Sequence, residues 1–382
     1  MPSSYDVAIA GAGIVGAAVA DECAAAGLRV VVVERRLTGG GATAAGMGHL
    51  VVMDDSPAQL ALTRYSVALW RALAPELPPE VEYSVAGTIW IAAEAAEMAE
   101  VERKRQVYAS VGVRAEGLDA AALAEAEPQL RPGLAGGLLV PDDAVIYPPC
   151  AARFLLHRAC AHGAEVREGM AVELAGAGQT LPARRAAAVM RLSDGEILSA
   201  GVLVNATGAW APELTPRIEV RKRKGHLAIT DRYPGFVRHQ LVELGYLKSA
   251  HSSQADSVAF NAQPRRTGQV LIGSSRQYDA EQSGVEASIL SRMLRCAQEY
   301  LPALAGWNVI RCWTGFRAAT PDKLPLIGPC EDGTYLATGH EGLGITTSLA
   351  TAKLLADQIL GRPSAIPREP YLPSRMQEAP HG

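Results

Sequence analysis

The chain has 382 residues, with 36 Lys and Arg against 40 Asp and Glu, a formal net charge of −4, and 48% apolar residues. A chain of this size buries enough apolar surface to fold without disulfide or metal staples, and it lacks the basic excess that a nucleic-acid surface demands. Its six cysteines, Cys23, Cys150, Cys160, Cys296, Cys312 and Cys330, form no C-x-x-C pair and no Cys/His group at metal-ligand spacing, so no metal site is expected.

The chain starts Met-Pro-Ser-Ser-Tyr-Asp without a basic leader. Its apolar stretch Val7 to Ala20 stops at Asp21 and Glu22, short of the roughly twenty residues that cross a bilayer. A cytoplasmic protein with reduced thiols is expected. Asp6 to Ala10 reads as a buried strand, Gly11-Ala-Gly-Ile-Val-Gly16 opens an Ala-rich helix that Gly27 closes, and Arg29 to Glu34 forms a second strand, together a βαβ nucleotide-binding unit. Residues 39–48 carry too little side chain for a core element and too little charge for a disordered linker, which fits a loop pressed against a ligand. Helices are expected from Pro57 to Leu77 and from Glu94 to Ala109, with a strand from Tyr83 to Ala92 between them.

Near Tyr147 a second unit begins, with a helix from Pro149 to His162, a strand from Glu165 into Val172, and a turn at Ser193-Asp-Gly195 leading into the buried strand before Trp210. Residues 218–276 alternate polar and apolar between turn signals, as an antiparallel sheet would, and a helix follows from Val285 to Tyr300. Thr334 to Thr338 runs into Gly339-His-Glu-Gly-Leu-Gly344 and a helix through Leu360. The last ~15 residues, rich in Pro, are expected to fray.

In the first unit, Gly11 permits a tight turn, Gly13 lets backbone approach a pyrophosphate, and Gly16 lets the helix pack on the sheet. The helix N-terminal N–H groups then face the anion. Glu34, eighteen residues after Gly16, ends the second strand where a ribose would offer two hydroxyls. NAD and FAD share this adenosine cradle. The rest of the chain separates them: an NAD enzyme would complete a parallel sheet from contiguous βα units, whereas this chain leaves for a β-rich insert and returns with Gly-rich turns near residues 208 and 342.

Five segments carry a family resemblance: Asp6 to Glu34, Ala44-Ala-Gly-Met-Gly48, Asn205-Ala-Thr-Gly-Ala-Trp210, Gly315-Phe-Arg-Ala-Ala-Thr-Pro-Asp322 and Gly339-His-Glu-Gly-Leu-Gly-Ile345. In this order they resemble the FAD-dependent D-amino-acid oxidase family, which includes glycine and sarcosine oxidases. The resemblance implies an α/β fold with a Rossmann-type FAD-binding domain (residues 1–82, 136–216 and 320–382). An inserted, discontinuous, antiparallel β-rich substrate domain (83–135 and 217–319) completes it. Carried over position by position, Gly11, Gly13, Ile14, Val15 and Gly16 form the pyrophosphate turn, and Glu34 and Arg35 hold the ribose. Ala42 and Thr43 meet the phosphates, and Met47, Gly48 and His49 lie beside the isoalloxazine ring. Val172 pairs its backbone with adenine, and Gly208 belongs to a further Gly-rich turn at the cofactor. Gly339, His340, Glu341, Gly342, Leu343, Gly344, Ile345 and Thr346 aim helix N-terminal amides at the flavin pyrimidine edge, where negative charge develops on reduction.

The same resemblance makes Arg317 the receptor for a substrate carboxylate, by a bidentate charge-assisted pair. A structural ion pair is its plainer role. The family's Arg-Pro is here Arg317-Ala318, and Gly315 stands where some members attach flavin through Cys, so noncovalent FAD is expected. Hydride transfer from Cα to flavin N5 needs alignment rather than a base. Met47, His49 and His340 are therefore either substrate contacts or packing and flavin partners. Tyr246 and Lys248 are candidates for the substrate side.

Within the family, the size, the turn from Gly339 to Thr347 and the Arg-rich stretch at 217–224 most resemble β subunits of multi-subunit dehydrogenases of D-hydroxyproline, proline or opines. That implies an α, and in some complexes a γ, partner carrying any iron–sulfur centre. It also implies an interfacial FMN near residues 221–224. Alternation places Arg221 and Arg223 on one strand face and Lys222 and Lys224 on the other, so one pair can point outward as a phosphate seat. A solvated strand face is the plainer role of Arg217 and this run. Two alternatives stand beside the dehydrogenase: a stand-alone glycine- or sarcosine-type oxidase making hydrogen peroxide, and a flavin-holding subunit for electron transfer or structure.

Overall fold

A computed structural model describes residues 4–177, 188–245, 256–278 and 280–376. In chain order its elements begin with β1 (Ser4–Ala10), α1 (Ile14–Ala25), β2 (Val30–Glu34), α2 (Gly41–Ala45), β3 (His49–Leu50), α3 (Pro57–Leu73), β4 (Thr88–Ala92) and α4 (Met98–Ser110). They continue with β5 (Glu116–Asp119), α5 (Ala120–Ala126), β6 (Gly136–Val140), β7 (Ala144–Val145), α6 (Pro148–Ala161), β8 (Glu165–Glu168), β9 (Val172–Ala177), β10 (Ala188–Leu192), β11 (Ile197–Asn205) and α7 (Ala211–Leu214). The last are β12 (Arg221–Arg232), β13 (Gln240–Glu243), β14 (Ser257–Pro264), β15 (Gln269–Tyr278), α8 (Ala287–Tyr300), β16 (Val309–Ala319), β17 (Leu326–Pro329), β18 (Tyr335–Thr338) and α9 (Gly344–Leu360).

Two sheets organise the molecule. The first runs β17-β18-β11-β1-β2-β8, with β10 and β9 added onto β11. Its centre is parallel, β1 lying between β11 and β2. Such a centre is buried on both faces and needs apolar runs, which Val30-Val-Val-Val33 supplies with each side chain at most 1% exposed. On one face α1, α6 and α9 pack through Val19, Leu155, Leu354 and Leu355, and on the other Ala8, Val31, Met190 and Leu192 close a second cluster. Helix α1 is wedged between its neighbours, so its small residues Ala17, Ala18 and Ala20 are all buried rather than arranged on one stripe. The second sheet runs β16-β12-β15-β14-β13-β4-β6-β5. It is antiparallel apart from the parallel β13–β4 pair, and α8 covers it through Met293 and Ala297. This is the Rossmann-type unit with a β-rich partner that the resemblance implies.

Tertiary pairing redraws some local expectations. Residues 136–140, placed by sequence with the nucleotide-binding half, form β6 and pair with β4 in the second sheet, so the crossing back lies beyond Val140. The strand expected from Glu165 into Val172 is two, because Gly169 turns left-handed at φ +75 and the chain leaves β2 to pair β9 with β10. The helix expected to reach Leu77 ends at Leu73, with a 3₁₀ turn over Ala74–Glu76, where Pro75 has no N–H to continue the helical hydrogen bonds. The C-terminal segment is docked as far as Met376: Tyr371 is buried with its hydroxyl on Ala58 O at 2.6 Å, and Arg375 pairs with Asp322 at 2.7 Å. Residues 377–382 lie outside the described residues, as do Tyr246 and Lys248. Among the described residues no helix is long and apolar enough to cross a membrane.

Candidate active site

The carboxyl ends of β1 and β2, the α2 segment and the face of the second sheet enclose one cavity. Gly11, Gly13, Ile14, Val15, Glu34, Arg35, Ala42, Thr43, Val172 and Gly208 line one part of it, and Met47, Gly48, His49, Arg317, His340, Glu341, Gly342, Gly344 and Ile345 line the rest. Four expected residues stand behind the wall: Gly16, Gly339, Leu343 and Thr346. Packing explains two of them. A Cβ on Gly16 would lie 2.0 Å from Gly11 O, and one on Gly339 2.6 Å from the Thr320 side chain. Thr346 acts through another residue, donating its hydroxyl to His49 O at 2.8 Å and so tying α9 to β3.

At the nucleotide end the backbone comes first. Gly11 sits at φ +100, and a Cβ there would lie 2.7 Å from Ala206 O. The N–H of Ile14, the first residue of α1, is taken by Thr43 Oγ1 at 3.0 Å, which leaves the Thr43 hydroxyl proton to donate into the cavity. Glu34 is aimed by backbone donors: Oε2 accepts from Ala12 N and Oε1 from Arg36 N, each at 2.9 Å. Each carboxylate oxygen keeps a further lone pair for a hydroxyl. Arg35 lies 4.5 Å above the Trp210 ring. Gly41 and Gly208 present bare backbone, with nothing nearer than 3.9 Å to a Cβ at the first and nothing within 4 Å at the second. A turn of bare amides, a helix N-terminus, a hydroxyl donor and a held carboxylate form the donor set that a dinucleotide requires. The residues present fit FAD.

At the other end, His49 sits half-buried in a ring of amides from the second sheet. Gln240 donates Nε2 to Ala144 O at 3.2 Å, which turns its Oε1 onto His49 Nδ1. This assigns the ring proton to Nδ1 and leaves Nε2 to accept from Asn261 Nδ2 at 3.3 Å. Burial lowers the His49 pKa, and it pushes His340 down to about 3, where Nε2 meets Thr351 Oγ1 at 3.0 Å. Both rings are neutral at physiological pH. Arg317 lies across β12: its Nη1 donates to Ser275 O at 3.0 Å, and a Cβ on Gly225 would lie 2.3 Å from that same nitrogen. Gly315 cannot be replaced lightly, since its Cβ would stand 2.3 Å from Ala45 Cβ. Trp313 closes the same contact by donating to Ala45 O at 3.3 Å.

The basic run does not present an outward pair. Arg223 is buried and ion-paired with Glu341, and Lys224, 1% exposed, holds Glu286 at 2.7 Å. Lys222 lies 5.7 Å over Trp210, and Arg217 reaches Glu331 only at 3.9 Å on the surface. The phosphate seat expected at 221–224 is thus dismantled by acids that sequence distance conceals. Sequence reasoning missed Gln240, Asn261, Ser274, Ser275, Gly225 and Leu227, and alternation in the strands at 218–276 was the only signal that could have flagged them. No group of three His, Cys, Asp or Glu suited to a metal occurs among the described residues.

Comparison with known proteins places this geometry. The family model described as FAD dependent oxidoreductase matches residues 6–358. The chain is 30% identical to a glycine oxidase of Pseudomonas aeruginosa over 97% of its own length and 99% of that protein's. It is 27% identical to the hydrogen cyanide synthase subunit HcnC of the same species, over 100% and 98% of the two chains. The crystal structure of glycine oxidase from Geobacillus kaustophilus superposes with a TM-score of 0.87 at 26% identity, covering 97% of this chain and 99% of that one. With the match running from β1 almost to the end of α9, the chain belongs to the DAO family of FAD-dependent oxidoreductases.

Proposed function

We propose that this chain oxidises the amine of a small amino acid, with FAD held noncovalently and Arg317 receiving the substrate carboxylate. One observation carries the reading. A guanidinium laid between Gly225 and Gly342 faces the cavity that Met47 and His49 also line, where a carboxylate would meet a planar fork. In this reading the Gly11–Gly16 turn and Glu34 hold the adenosine diphosphate, the 339–346 turn faces the flavin, and Met47 and Leu227 keep water off the reacting carbon. When bound, FAD supplies the acceptor for the Cα hydride. The protein's part is alignment: His49 is neutral, with Nε2 already accepting from Asn261, and His340 is held by Thr351. Full-length likeness to glycine oxidases supports a stand-alone oxidase that passes electrons to oxygen. Anaerobic mixing of the purified protein with glycine, sarcosine, D- and L-amino acids, hydroxyprolines and opines tests it, because a substrate bleaches the flavin. No bleaching by any carboxylate-bearing amine sinks the proposal.

A second reading has its own support. Full-length likeness to HcnC, a protein named as a subunit, supports a chain that works within a complex, and in this reading it is the FAD-bearing β subunit of a D-hydroxyproline, proline or opine-type dehydrogenase with an α partner. An FMN between the subunits would need a seat other than the one at 221–224. Peroxide formed one for one with substrate in air favours the oxidase, and a co-purifying partner that restores turnover without peroxide favours the dehydrogenase. A cytoplasmic setting belongs to either version and accords with six unpaired cysteines.

A further inference from the structure

Glu341 is out of place by local rules. It sits at φ +53 in a turn whose residues 339, 342 and 344 are all Gly, a conformation that side chains seldom adopt unless their surroundings over-determine it. Its surroundings do. Glu341 N donates to Ala318 O at 2.9 Å, making a bridge to the residue after Arg317. Its carboxylate forms an ion pair with Arg223, the two side chains being 8% and 6% exposed. Arg223 is in turn held from a third strand, donating Nη1 to Tyr278 OH at 3.3 Å, and it is the register partner of Arg317 across β12 and β16. The turn then enters α9 directly, and Gly344 and Ile345, the first residues of that helix, line the cavity.

A buried ion pair is a poor source of stability but a strict geometric constraint, because neither charge tolerates losing its partner in a dry site. We propose that Arg223 and Glu341 are positioning residues whose ion pair pins the 339–344 turn to β12 and so holds the N-terminal amides of α9 against the flavin. The inference rests on the reading that this turn faces the flavin, and it asks nothing of the amino-acid substrate. Alignment matters there because the amide dipoles offset negative charge that the flavin gains on reduction.

The test is FAD binding to apoprotein, followed by quenching of flavin fluorescence, together with the midpoint potential of the bound flavin. Glu341→Gly is the decisive variant, since it relieves the left-handed backbone while taking away the carboxylate that pairs with Arg223. It is expected to raise the FAD Kd about tenfold or more and to shift the potential, with Glu341→Gln in the same direction. Arg223→Lys, which keeps a cation, is expected to stay within about threefold of wild type. Glu341→Gly and Glu341→Gln proteins that bind FAD within about twofold of wild type at an unchanged potential overturn the proposal, as does tighter binding by the Gly variant. Neither readout involves substrate, so a failed carboxylate reading leaves them intact.

Discussion

Replacing Arg317 with Ala is the sharpest test of the site. The side chain leaves β16, lies across Gly225 with Nη1 on Ser275 O at 3.0 Å, and has Gly342 on its other side, where a Cβ would be 3.8 Å from Nε. A carboxylate docked on that fork would be largely desolvated, so removing the guanidinium should cost about 2 to 5 kcal/mol, or about 30- to 5,000-fold in kcat/KM. The hydrogen bond to Ser275 O accounts for about 1 kcal/mol of folding stability. Gly225→Ala is the companion variant, because its new Cβ would stand 2.3 Å from Nη1 and push the fork aside without removing the charge. It should weaken substrate binding by less than Arg317→Ala, and Arg317→Lys should fall between wild type and Ala. Anaerobic stopped-flow reduction over a range of substrate concentrations separates binding from the hydride step. A folded, FAD-loaded Arg317→Ala protein with kcat/KM within about threefold of wild type would return Arg317 to a structural role.

Two further outcomes follow. Acid precipitation should release the yellow chromophore into solution, because Gly315 packs against Ala45 and offers no thiol, and a flavin that stays in the pellet refutes noncovalent binding. Burial pushes Asp143 up to about 7 from an ordinary 3.8, so the folded protein keeps a proton that the unfolded chain has released. Its contribution to stability is full below the unfolded value and is lost as pH rises through about 7, an interval worth about 4 kcal/mol. Asp143→Asn should therefore gain on wild type in urea midpoint from about pH 5 to 8, and a difference that stays flat across that range contradicts the argument.

Much of the nucleotide end was legible because its rules are local. A helix closes its own hydrogen bonds four residues apart, and three glycines at fixed spacing state where backbone must bend, open and pack. Hence Asp6 to Glu34 could be read in full, and the Gly339–Gly344 turn could be recognised by its composition. The substrate end obeys other rules. His49 draws its partners Gln240 and Asn261 from strands 191 and 212 residues away, and no periodicity links them.

The basic run shows the division most plainly. Alternation correctly set Arg223 and Lys224 on opposite faces of one strand, but only the fold brings Glu341 from 118 residues away and Glu286 from 62 to neutralise them. Local rules set the nucleotide-binding unit, and the family resemblance singled out Gly315, where no thiol stands, and Arg317. Only the folded chain joins β6 to the second sheet, keeps Gly225 bare for Arg317, and buries Arg223 and Lys224 while Arg221 stays exposed. Strand pairing and charge burial are set by which surfaces meet, and that choice is made between segments far apart in the chain.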